Sequence, residues 1–444
     1  MRQSSSRRTT SLTRRAFGAA AAGLTGAAVA GAAATPAAAA PSAGRGGRGT
    51  VWIGTWSTAP TTVPAGDHTD LADRTVRQVV HTSIGGDRLR VRLSNEFGDA
   101  PLVVGEARVA LQAASGEGTD TERGSDRTLT FGGSRSAVVP AGAPYLSDPV
   151  DLRVAGGANL VVSLHLRGPV PRPTVNAFAA EVNHIADGNA TGATHVTDAV
   201  TTDRWWFLTG VQVARGAGDR ASAVVALGDS ITATTGLSTD HRWTDLLAER
   251  LRAARHLPDI GVLNAGISGN RLRHGPNPPA GSPAQEYAAF FGEAGLTRFD
   301  RDVAAQPGAA YVVVLLGVND IGQPGTPNAP AFERVTAGEV IDGLRQVADR
   351  ARQRGLTVIG GTIGPFRDTT LGFHTPENEA ARLAVNRWIR TGGAYDAVAD
   401  FDAAVRDPAR PDRLLPAYDS GDHLHLNDTG NRAMADAVDL RVFR

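Results

Sequence analysis

The sequence predicts two folded parts in series, an all-β unit followed by an α/β unit built on a parallel sheet. Two periodicities and the junction between them carry this reading. From Val51 to about Val213 short apolar runs alternate with polar residues, as in Leu89-Arg90-Val91-Arg92-Leu93 and Leu160-Val161-Val162-Ser163-Leu164-His165-Leu166. Period-two alternation marks strands with one face buried. From Ala223 onward the apolar runs are separated by helical patterns, as expected of strands buried on both faces between crossover helices. Gly216-Ala217-Gly218-Asp219-Arg220 marks the change as a linker. With 444 residues, 41% of them apolar, the chain exceeds one ordinary domain, and each part holds enough apolar material for its own core.

In the first part, residues 50–215, the turn signals Gly85-Gly86-Asp87, Phe131-Gly132-Gly133 and Pro140-Ala141-Gly142 recur without long helical patterns between them. A sandwich or jelly-roll-like unit is expected. Nothing there repeats at a fixed period. Trp205-Trp206-Phe207, just ahead of the linker, either lines a sugar-binding or active-site surface or is core between the two parts, and the size of the side chains favours core.

In the second part, residues 222–444, the strand candidates are Ala223 to Leu227, Ile260 to Leu263, Tyr311 to Leu316, Leu356 to Ile359 and Ala397 to Phe401. Trp243, Leu246, Leu247, Leu251 and Ala254 share one helical face, as do Val340, Leu344, Val347 and Ala351. Thr375-Pro376-Glu377 has the marks of a helix start: a capping hydroxyl, proline at the first helical position and an acid near the positive dipole end. Arg390 and Gly392 are suited to close that helix.

Residues 1–43 read as a targeting segment and the start of the mature chain. Arg2, Arg7, Arg8, Arg14 and Arg15 precede an Ala/Gly-rich stretch from Ala16 to Ala40, and the first acidic residue is Asp67. Ser11-Leu12-Thr13-Arg14-Arg15-Ala16-Phe17 resembles the twin-arginine signal motif, which implies export of the folded protein, the Tat machinery as a transient partner and a secreted product. Lys+Arg and Asp+Glu both number 45. The zero formal charge removes the footprint of a nucleic-acid or anionic-membrane binder, and no exposed amphipathic segment argues for stable membrane association. The absence of cysteine excludes disulfides, thiolate catalysis and Cys-based zinc sites. Neither H-E-x-x-H, a P-loop nor a dinucleotide fingerprint occurs, so the expected chemistry calls for no metal and no organic cofactor.

Val224-Val225-Ala226-Leu227-Gly228-Asp229-Ser230 places a serine just past the carboxyl end of a buried strand, where open α/β sheets hold their sites, with Gly228 allowing a sharp turn. A serine hydroxyl needs a base within hydrogen-bond reach, and that imidazole needs an acceptor that fixes its tautomer. Asp422-His423-Leu424-His425 offers both, because a carboxylate and an imidazole three residues apart can project to one side while His423 points elsewhere. Metal binding or simple exposure are the plainer readings of His-Leu-His. Acyl transfer also requires donors for an oxyanion. The loop Asn264 to Asn270 can present the Gly269 amide, and Gly317-Val318-Asn319-Asp320 can present a neutral side-chain amide from Asn319.

Gly228-Asp229-Ser230, Gly269 in its loop, Gly317-Val318-Asn319-Asp320 and Asp422-x-x-His425 resemble the four sequence blocks of the SGNH/GDSL hydrolases, over about residues 222 to 444. The resemblance implies a flavodoxin-like three-layer α/β/α sandwich. It also implies Ser230 as nucleophile and first oxyanion donor, Gly269 and Asn319 as further donors, His425 as base and Asp422 as orienting acid. The first part resembles the β-domain that precedes the hydrolase in a set of secreted bacterial GDSL esterases. Gly54-Thr55-Trp56, Ser83-Ile84-Gly85-Gly86 and Ser94-Asn95-Glu96-Phe97-Gly98 carry that similarity. Thr232-Ala233-Thr234 departs from the usual Thr-Asp-Gly after the serine, and Leu426 stands where a proline often follows the histidine.

The expected activity is hydrolysis of carboxylic esters by two-step acyl transfer, with short-chain esters or polysaccharide O-acyl groups such as acetyl as substrates. Activity should vanish as pH falls and His425 is protonated. The alternatives are a GDSL lipase or phospholipase, and a carbohydrate-binding protein with an inactive hydrolase domain. For the β-domain a structural role, shielding the catalytic part and shaping its cleft, is preferred to carbohydrate binding. The stretch His274 to Gly295, with Tyr287, Phe290 and Phe291, is either substrate rim or surface excursion.

Overall fold

The computed structural model describes residues 49–114 and 118–444, so the targeting segment read over 1–43 lies outside the described residues. Two larger antiparallel sheets and a two-stranded one, Val175–Asn176 paired with Trp205–Trp206, make up the β-rich half. One of the larger sheets contains, side by side, Thr50–Ser57, Leu208–Gly216, Gly86–Ser94 and Pro144–Leu146, with Val150–Val154 also on Gly86–Ser94. The other runs Val200–Thr202, Asn183–Asp187, Arg74–His81, Asn159–Leu166, Leu102–Leu111 and Arg127–Leu129, with Ala137–Val139 also on Leu102–Leu111. The alternation in the sequence is the reason: Leu89, Val91 and Leu93 are fully buried while Arg90 and Arg92 between them are only partly so. Trp205, Trp206 and Phe207 are all buried, Trp205 stacking edge-on against Trp56 at 5.0 Å and donating its indole N–H to Val79 O at 2.8 Å. They are core.

The second half is a five-stranded parallel sheet in the order Ile260–Gly266, Ser222–Gly228, Ala309–Leu315, Thr357–Gly361, Ala397–Ala399. In chain order this is 2-1-3-4-5, a doubly wound arrangement. Val225, Leu227, Leu263, Val312 and Val314 face one apolar cluster, and Val224, Ala226, Val262, Val313 and Leu315 face another. Ala337–Gln353 and Pro376–Thr391 cover the first face with Val340, Leu344, Val385 and Ile389, and Trp243–Ala253 and Asp428–Asp436 cover the second with Trp243, Leu246, Met434 and Ala435. Each such Val or Leu stabilises the layer by about 1.5–3 kcal/mol. Thr375 caps its helix by accepting from Asn378 N at 3.1 Å, and Gly392 follows the last turn. The last strand is shorter than expected. Asp400 accepts the Ala403 amide at 3.2 Å, so Phe401 opens a helix instead of ending a strand.

The two halves share one apolar cluster, which runs from Ile53 and Trp205 through Leu263 and Val312 to Leu424. Strand Thr50–Ser57 crosses the edge strand Ile260–Gly266 at Gly54 and Gly261, where a Cβ on Gly261 would stand 2.1 Å from Gly54 O. Only glycine permits that approach. Gly54 N also donates to Pro307 O at 2.9 Å, and Ser83 Oγ accepts Val262 N at 2.9 Å while donating to Thr55 O at 2.6 Å. The motifs around Gly54 and Ser83 are therefore the joint between the halves. Among the described residues no helix is long and apolar enough to cross a membrane.

Candidate active site

Ser230 follows the carboxyl end of strand Ser222–Gly228 and opens the short helix Ser230–Ala233, capped by Asp229, whose carboxylate accepts Ile231 N at 3.0 Å. Gly228 is needed for closeness, not for the turn expected from the sequence: its φ is not positive, and a Cβ would stand 2.2 Å from Thr232 Oγ1. Burial first of all pushes the Asp229 carboxyl up to about 7, against the Ile231 N–H and the positive charges of His425 and Arg298.

Ser230 Oγ lies 2.7 Å from His425 Nε2, and His425 Nδ1 lies 2.5 Å from Asp422 Oδ2. The loop preassembles this pair as the spacing predicts. Leu424 N and His425 N both donate to Asp422 Oδ1, at 3.0 and 2.8 Å. Burial raises the Asp422 carboxyl, but the His425 ring, these two amides and the imidazole charge together hold it well below the usual carboxylate range. His423 has φ 63, which turns it away from the serine and onto Asp419, 2.5 Å from its Nδ1. The chain thus holds two Asp-His pairs in one loop, and only one reaches the serine.

Gly269 and Asn319 line the same cavity as Ser230 and His425. Gly269 has φ +75 and a Cβ there would stand 2.3 Å from the Phe291 ring, so both backbone and space demand glycine. Asn319 follows strand Ala309–Leu315 on the helix Val318–Gly322 and is 4% exposed. Its Nδ2 donates to Asn270 O at 3.0 Å, which leaves one amide hydrogen unused by that bond, and its Oδ1 accepts Gln323 Nε2 at 3.0 Å. Asp320 accepts Leu272 N at 2.7 Å and Arg273 N at 3.0 Å, fastening the chain after Gly269 to this helix.

All five residues singled out in the sequence therefore meet at one end of the sheet. The arrangement can deprotonate a hydroxyl and surround an oxyanion. Over residues 226–433 the chain matches the model of the GDSL-like lipase/acylhydrolase family. This part of the chain is a GDSL-family carboxylic ester hydrolase domain. Among solved structures, a GDSL-like lipase from Bacteroides thetaiotaomicron VPI-5482 is 16% identical, over 50% of this chain and 86% of its own, with a TM-score of 0.33. The lipase/acylhydrolase from Enterococcus faecalis is 18% identical over 49% and 92%, TM-score 0.34. The acetyl xylan esterase AlAXEase is 21% identical over 48% and 96%, TM-score 0.34. No curated protein matches the chain.

One structural member of the GDSL site escaped the sequence reading. Arg298 is buried in the helix Gly295–Phe299 and reaches both strand ends, donating to Gly228 O at 2.9 Å and Ala265 O at 2.7 Å, and to Asn270 Oδ1 at 3.1 Å. Asp302, 3.2 Å away, balances its charge. The arginine fixes the separation of the strands that end in Ser230 and the Gly269 loop.

The GDSL cavity has a volume of about 370 Å³. Tyr287 and Phe291 come from the insertion after Asn270, Leu371 and Phe373 from the loop before helix Pro376–Thr391, and Phe178 from the β-rich half. The insertion is therefore rim, and Phe290 within it is buried. On the other side of His425 an open groove is lined by Thr234, Thr235, Asp419, Asp422 and Asp428. Among the described residues no group of three His, Cys, Asp or Glu side chains could hold a metal ion.

Proposed function

We propose that the chain is an exported serine esterase that cleaves carboxylic esters through Ser230, His425 and Asp422. The carrying observation is the line of contacts Ser230 Oγ to His425 Nε2 at 2.7 Å and His425 Nδ1 to Asp422 Oδ2 at 2.5 Å. His425 takes the serine proton as the alkoxide attacks the ester carbonyl, and Asp422 stabilises the imidazolium. The oxyanion is held by Ser230 N–H, Gly269 N–H and the free Asn319 Nδ2 hydrogen. His425 then protonates the departing alcohol, and water repeats the sequence on the acyl-enzyme to release the acid.

The alcohol has to leave where His425 Nε2 can protonate it, beside the groove of hydroxyls and carboxylates. That lining suits a polyhydroxylated alcohol and supports O-acylated polysaccharide as substrate. The apolar cavity favours the second reading, a lipase. Hydrolysis of p-nitrophenyl acetate, butyrate, octanoate and palmitate, beside acetate release from acetylated xylan, separates the two. A steep fall beyond butyrate with acetate released means a polysaccharide-type esterase; a preference for palmitate means a lipase. Turnover that survives Ser230→Ala sinks both. Export through the twin-arginine pathway is part of the proposal and predicts loss of secretion when Arg14 and Arg15 are both replaced by Lys.

A further inference from the structure

The β-rich half meets the GDSL domain beside the serine as well as at Gly54. After the short strand Val175–Asn176 the chain runs along the end of the helix that carries Ser230. Ala179 O accepts Arg242 Nη2 at 2.5 Å, Ala180 O accepts Ser238 N at 2.7 Å, and Val182 N donates to Ser238 Oγ at 3.1 Å. Arg242 Nε also donates to Ala233 O, the last residue of the serine helix, at 2.8 Å. One buried arginine thus fastens the serine helix and the β-half loop together.

Phe178 stands on this loop. It has φ 64, which bulky side chains rarely adopt, and it is 39% exposed. Its ring lines the Ser230 cavity and meets Phe290 edge-on at 6.2 Å. Tyr287, Phe291 and Phe373 line the same space, as do the oxyanion donors Gly269 and Asn319. With the alcohol leaving on the groove side of His425, the acyl skeleton is held in this cavity. An acetyl group would bring one methyl to four aromatic rings. An acyl group with a ring of its own can meet them edge-on or offset.

We propose that Phe178, supplied by the β-rich half, is a specificity-determining residue of an aromatic-walled acyl site that prefers ring-bearing acyl groups. The proposal rests on the serine-esterase reading, and its test separates the two. p-Nitrophenyl benzoate, butyrate and acetate share a leaving group, so ratios of kcat/KM isolate the acyl side. Phe178→Ala is expected to lower the benzoate-to-acetate ratio on the order of 10-fold. Phe178→Gly, which suits the left-handed backbone better than Phe, should do the same, and Phe178→Tyr should restore the ratio. An unchanged ratio, or a fall as large in butyrate-to-acetate as in benzoate-to-acetate, overturns the aromatic assignment while Ser230→Ala remains inactive. If Ser230→Ala keeps its activity, the esterase reading itself has failed.

Discussion

Two carboxyl groups are buried together at the joint between the halves, and their shared proton has a measurable consequence. Glu181 is 3% exposed. Burial, and then the charge of Asp240, push its carboxyl up to about 8, against the Arg242 charge and the Ser238 hydroxyl. Asp240 goes the other way, to about 2: burial raises it, and the His81 ring and Arg242 outweigh that. With Glu181 raised and Asp240 lowered, the pair favours a single proton at neutral pH, and Asp240 Oδ1 is buried with no hydrogen-bond partner among the described residues. Unfolded, Glu181 ionises near 4.5, so between that value and about 8 the folded state binds more protons and stability falls as pH rises. At 1.36 kcal/mol per pH unit, the loss from about pH 5 to about pH 8 is on the order of 4 kcal/mol. His81, raised overall because the Asp240 contact outweighs its burial, loses stability in the same direction, so the Glu181 share has to be read by difference. Glu181→Gln removes that share and keeps a donor for Asp240. Urea unfolding followed by tryptophan fluorescence should find the variant gaining roughly 3–4 kcal/mol on the wild type between about pH 5 and about pH 8. A gap that does not change with pH refutes the reasoning.

Further predictions follow from the site. Asn319→Ala removes one of the proposed oxyanion donors and should lower kcat roughly 10²–10³-fold with little change in KM, in steady-state kinetics on p-nitrophenyl acetate. Asp422→Asn keeps the shape of the loop and puts a donor where His425 Nδ1 needs an acceptor. It should lower kcat on the order of 10⁴-fold, and a loss below about 10-fold would mean that the acid does not orient the base.

The parts of this protein that are local in sequence were legible there. Ser230 follows an apolar run, and Asp422 and His425 sit three residues apart, so strand ends and one turn were enough to bring out the candidate triad. The helix at Thr375 carried its own cap and proline. What escaped depends on long-range contact. Arg298 lies in Arg298-Phe299-Asp300-Arg301-Asp302, a run that reads as a solvated face, and its role exists only because two distant strand ends converge on it. Phe178 lies between alanines with no periodic signal, and its place in the cavity follows from the docking of one half on the other. Gly54 stood out as a motif, but its reason, the 2.1 Å that a Cβ on Gly261 would leave to Gly54 O, belongs to a strand more than two hundred residues away.

In the proposed mechanism Ser230 Oγ is the atom that takes the acyl group. Incubation with a fluorophosphonate, which phosphonylates an activated serine, followed by intact mass and peptide mapping, tests it directly. One adduct per chain is expected, on the peptide containing Ser230, suppressed by a substrate ester and lost in Ser230→Ala and His425→Ala. Labelling of another serine, or an adduct that persists in Ser230→Ala, would contradict it.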